Sequence, residues 1–137
     1  MKDHDIVCSL ELAQQLKKVG VPQESIFKYS YSVFNKCYKL NYRPTKYSSM
    51  DCAAFTVSEI IEFLPAFIFV DKAGVDMYLN ISKAFLTSDK YLVMYKYSDE
   101  LFYGNCIYRG EKLIDCLANV LLHLVETKKL SFEDKKC

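Results

Sequence analysis

The sequence predicts an α+β fold: an antiparallel β-sheet of four to five strands with about three helices packed on one face. Three observations carry this prediction. Hydrophobic periodicity switches between helical and strand spacing several times along the chain. The composition is 51% apolar and 15% aromatic, with four Gly and three Pro, which is far from that of a disordered chain. The last third holds a helix-like segment that is apolar around most of its circumference. With 137 residues the chain has the size of one domain, and such a domain buries roughly two-thirds of its unfolded surface. A single domain over 1–137 is expected, with 127–137 as a frayed tail.

Ser9 precedes apolar residues at Leu12, Ala13, Leu16 and Val19, with Gly20 and Pro22 beyond. This spacing predicts a helix over 9–19, with Ser9 as N-cap and Gly20 as the left-handed residue that ends it. From Ile26 the period drops to two. Phe27, Tyr29 and Tyr31 alternate with Lys28, Ser30 and Ser32, and Tyr38, Leu40 and Tyr42 alternate with Lys39, Asn41 and Arg43. The two runs predict a hairpin closed through Val33-Phe34-Asn35, with Pro44 stopping the second strand and a polar loop over 45–51.

Thr56 and Glu59 form a capping box, flanked by Phe55 and Ile60 as a hydrophobic staple, and predict a helix over 57–64 stopped by Pro65. Asp71-Lys72-Ala73-Gly74 is a turn. Two runs rich in β-formers, Met77 to Phe85 and Tyr91 to Tyr97, predict a second antiparallel pair turned through 87–90, and Phe102 to Tyr108 a further strand. Glu111 to Glu126 is the broad apolar helix, either central to the core or a self-association surface through Leu117, Leu121 and Leu124.

Charge excludes little: 18 Lys and Arg face 17 Asp and Glu, so no global field steers the chain to nucleic acid. The N-terminus carries no signal-like run, and the apolar stretch around Phe67-Ile68-Phe69-Val70 is far short of a membrane span. A cytoplasmic protein with no membrane partner is expected. Its six cysteines, without C-x-x-C spacing, are read as reduced, with Cys116 in the core and Cys137 a terminal thiol.

Glycine-rich phosphate loops are absent from the sequence, and no cofactor is expected. Of the two histidines, His4 lies at the start and His123 in the last helix, so a small nuclease or hydrolase would rest on His123 or on acidic pairs such as Glu59 with Glu62. The strongest local asymmetry lies between Glu24 and Asp51, which encloses no acidic residue. Lys28, Tyr31, Tyr38, Lys39, Tyr42 and Arg43 form a candidate ligand site there, cations and rings suiting the phosphate and base of a nucleotide. The competing reading is an ordinary half-buried hairpin, with aromatics inward and lysines outward.

Three segments, SLELAQQLKKVGVPQES from Ser9, AFTVSEIIEFLP from Ala54 and LANVLL from Leu117, resemble a family of small phage and prophage proteins of unknown function. The resemblance brings no catalytic residues with it. It implies a non-enzymatic binding protein, a stoichiometric inhibitor of host defence that occludes a protein complex or sequesters a nucleotide signal. A structural or homo-oligomeric interaction module is the alternative.

Overall fold

The computed structural model describes residues 6–42, 50–83, 90–98, 100–130 and 132. Their order is α1 (Leu10–Lys18), β1 (Phe27–Ser32), β2 (Cys37–Tyr42), β3 (Cys52–Ala53), α2 (Val57–Phe63), β4 (Phe67–Val70), β5 (Val75–Lys83), β6 (Tyr91–Lys96), β7 (Phe102–Gly110) and α3 (Leu113–Glu126). The class is α+β, as read from the sequence. The strands form two antiparallel sheets where one was expected: β2-β1-β3, and β4-β5-β6-β7. Two short strands account for the difference. The apolar run Phe67–Val70 pairs with β5, and Cys52–Ala53 pairs with β1 across Lys28 and Tyr29.

Local chemistry places the helices where the caps predict. Ser9 Oγ accepts from Leu12 N at 3.3 Å and Gly20 has φ 96°, the left-handed conformation a glycine adopts without a Cβ clash. At α2 the capping box is complete, and its glutamate does more than cap. Glu59 Oε1 accepts from Thr56 N at 2.9 Å and from Ser25 Oγ at 2.7 Å, while Oε2 accepts from Ile26 N at 3.1 Å. One carboxylate thus joins the start of α2 to the entry of β1.

Helix α3 is the centre of the core. Ile114, Cys116, Leu117, Ala118, Val120, Leu121 and Leu124 are buried, and the helix packs on β6, β7, α1 and α2. Leu117, Leu121 and Leu124 have no exposed surface. The expected interaction helix is therefore corrected: these three side chains are consumed by the chain's own core. The tail is corrected in part too. Lys129 N donates to Leu124 O at 2.9 Å, and the Phe132 ring meets Phe63 edge-on at 5.4 Å, so residues just past α3 fold back over the helix end.

In the four-stranded sheet, Ile68, Met77, Val93 and Tyr95 face inward and are buried. The Tyr95 hydroxyl donates to Pro65 O at 2.6 Å, supplying the polar partner a buried tyrosine needs. The ladder between β6 and β7 shifts register between Met94 and Lys96. That irregularity lets Phe102 lie beside Lys96 on the outer face while Tyr103 reaches His123 on α3. Among the described residues no helix is long and apolar enough to cross a membrane.

Replacing Glu59 by Ala removes one cap and two further charge-assisted bonds. It should cost about 2–3 kcal/mol by urea denaturation, whereas Glu62→Ala, on the exposed side of the same helix, should stay within about 0.5 kcal/mol.

Candidate functional site

Two surfaces carry the chain's distinctive chemistry, and the first is the β1–β2 hairpin. Its ladder pairs Phe27 with Tyr42, Tyr29 with Leu40 and Tyr31 with Tyr38; between these rungs, Lys28 opposes Asn41 and Ser30 opposes Lys39. Directly opposed residues share a face, and neighbours along a strand alternate. Tyr31, Tyr38 and Tyr42 therefore stand on one face, with buried Phe27 and Tyr29, while Lys28 and Lys39 stand on the other. The five described residues of the ligand site read from the sequence do not come together: the rings of Tyr31, Tyr38 and Tyr42 and the cations of Lys28 and Lys39 point away from each other. Arg43 lies outside the described residues.

The individual partners agree with this division. The Tyr31 and Tyr38 rings meet edge-on at 5.2 Å, and Tyr42 meets Phe27 at 5.0 Å. The Tyr29 hydroxyl donates to Cys8 O at 2.8 Å, fastening the hairpin base to the core. Lys28 Nζ lies 2.8 Å from Asp51 Oδ2, with side chains only 14% and 7% exposed. This near-buried ion pair ties β1 to the segment leading into β3, and Lys17 Nζ adds a bond to Asp51 O at 2.6 Å. Lys28 is thus a structural cation.

Burial falls away along the hairpin, from Tyr29 to the half-buried Tyr31 and then to the turn. There Val33 and Phe34 are 68% and 93% exposed, held by Ser32 Oγ accepting from Asn35 N at 3.3 Å and by Lys36 at φ 53°. The turn carries the most exposed large apolar side chain among the described residues. Sequence reading treated Phe34 as connection only; its signal is an aromatic in a hairpin turn, where polar residues and glycine are usual.

The second surface is the outer face of the four-stranded sheet. Cross-strand pairing sets Phe67, Tyr78, Lys96 and Phe102 in one row spanning all four strands, with Phe69, Met94 and Ile107 beside it. Phe67, Phe69, Tyr78 and Phe102 are 44–55% exposed, and Phe67 and Tyr78 have ring centroids 5.9 Å apart. These rings present roughly 400 Å² of surface, the size typical of the largest apolar patch on a monomer, which is often a functional one. The sequence does not show this face, because the residues of its row lie on four strands and β4 becomes a strand only through pairing with β5.

His123 is held between Tyr103 and Tyr108. Its Nδ1 is 3.5 Å from the Tyr108 hydroxyl, and its Nε2 is buried without a hydrogen-bond partner among the described residues. Glu59 is committed to capping. Among the described residues no three His, Cys, Asp or Glu groups gather as a metal site.

Among the described residues Cys8, Cys37, Cys52 and Cys106 are free thiols, and Cys116 is buried. Burial pushes the Cys8 and Cys106 thiols up to about 12 and raises Cys52 as well, so these are inert core sulfurs at neutral pH. Cys37 is exposed on the cationic face of the hairpin. No protein-family model, curated protein or solved structure matches this chain.

Two expectations follow from this geometry. In a Cys137→Ser background at pH 8, an aromatic disulfide reagent should titrate Cys37 rapidly in the folded protein, and the four buried thiols only in denaturant, because burial keeps the reagent from them and, at Cys8 and Cys106, also holds the thiol protonated. Lys28→Met should lower stability by about 3 kcal/mol in chemical denaturation, since it removes a cation 2.8 Å from the near-buried Asp51 carboxylate.

Proposed function

We propose that this chain is a non-catalytic binding protein that acts stoichiometrically by covering a surface of a protein partner, and that the partner is a component of host defence. The observation that carries the binding reading is the aromatic row Phe67–Tyr78–Lys96–Phe102 on the outer sheet face. Half-exposed rings held rigid on a sheet are low-entropy anchors of the kind that dominate protein interfaces. The setting in host defence rests on the resemblance of the three sequence motifs to small phage proteins, and on nothing in the site itself.

Charge on this face narrows the partner. Lys96 lies within the aromatic row, and Arg109, opposite Leu92, stands at one corner; Asp76, on β5 opposite Phe69, lies towards the other end of the sheet. A complementary surface is apolar, with a carboxylate opposite Lys96 and Arg109. Occlusion of a protein is favoured over sequestration of a nucleotide because the hairpin's rings and lysines lie on opposite faces.

The test compares the tagged wild-type chain with a Phe67→Ser, Tyr78→Ser variant, both recovered from host cells and measured by quantitative mass spectrometry. The wild type should retain one protein in near-equimolar amount, and the variant should lose it at least tenfold while unfolding thermally like the wild type. Each substitution of a central aromatic should remove about 2 kcal/mol or more of binding. Equal retention by the variant, or recovery of a nucleotide in place of a protein, would overturn the reading.

A further inference from the structure

The hairpin tip has no role in holding the fold: Val33 and Phe34 are exposed, and the rings that anchor the hairpin lie at its other end. From Tyr29 to Ser32, the end of β1, the chain runs about 10 Å at strand rise, and the turn that carries Val33 and Phe34 lies beyond it. Its charge has one sign. From Ser25 to Tyr42 the sequence holds Lys28, Lys36 and Lys39 and no acidic residue, and Lys28 is engaged with Asp51. Lys36 in the turn and Lys39 on β2, opposite Ser30, therefore make the tip end of the hairpin cationic, with nothing acidic on the hairpin to offset them.

Accordingly, we infer that the β1–β2 tip is a second contact element, in which Phe34 enters an apolar pocket rimmed by carboxylates on a protein partner. The inference rests on the reading of the chain as a protein-binding protein, and adds a separate surface and a partner chemistry to it. One large ring inserted in a pocket, ringed by complementary charge, is the arrangement of an interface hot spot. A nucleic acid fits less well. Two lysines neutralise too few phosphates for firm backbone binding, and the neighbouring rings meet edge-on in pairs on the face opposite the lysines. A lipid surface fits less well too, because two apolar side chains provide only marginal and reversible insertion.

The experiment places a benzophenone side chain in place of Phe34, and in a second protein in place of Tyr78, irradiates living host cells and identifies the adducts. Position 34 should give one protein adduct, mapped to an apolar residue next to Asp or Glu in the partner. Lys36→Glu with Lys39→Glu should cut its yield at least tenfold without changing the yield from position 78. Adducts to nucleic acid, to lipid or to a second copy of this chain, or no loss on charge reversal, would overturn the inference. Protein adducts from position 78 with none from position 34 would sink this inference and leave the sheet-face reading intact; none from either position would sink both.

Discussion

A helix that is apolar around nearly its whole circumference is stable in water only when something covers it on every side. Helix α3 sets that demand, and the rest of the chain is arranged to meet it. The inner face of β6 and β7 covers one side, α1 and α2 cover others, and the residues after α3 close its end. Polar bonds then fix the placement of each cover. Ser9 N donates to Asp115 Oδ1 in the first turn of α3 at 2.9 Å, which locks α1 to the helix it shields. Glu59 does the same between α2 and the hairpin. Hydrophobic burial supplies the driving force, and these few charge-assisted bonds supply the register.

Much of this arrangement was legible in the residues, because the signals were local. Ser9, Gly20, the Thr56–Glu59 box and the alternation from Phe27 to Tyr42 each depend on neighbours within a few positions. The division into two sheets was not local. Phe67–Val70, between Pro65 and the turn at 71–74, is a four-residue apolar run too short to show a period, and its pairing with β5 makes it a strand. Cys52–Ala53 is shorter still, and takes its conformation from Lys28 and Tyr29 across the ladder. The breadth of α3's apolar face allowed two readings, core or interface. Choosing between them needed the three-dimensional inventory of what covers it.

The candidate site shows the same division. Lys39 and Tyr38 are adjacent in sequence and look like one cation-and-ring surface, yet a period of two puts adjacent residues on opposite sides. The rule that predicted the hairpin also separates its rings from its cations. The outer aromatic row behaves in the converse way: Phe67, Tyr78, Lys96 and Phe102 lie on four strands and become neighbours only through pairing. A binding surface built across strands leaves no motif in sequence, whereas a turn aromatic such as Phe34 does.

Hydrogen exchange, compared between the purified chain and the complex recovered from host cells, tests the central claim most directly. If the outer face of the four-stranded sheet and the hairpin tip are the binding surfaces, β4, β5 and residues 32–37 should gain protection on binding, while α3, already buried in the free protein, should change little. Protection confined to the exposed side of α1 or α2, with β4, β5 and the hairpin tip unchanged, would contradict it.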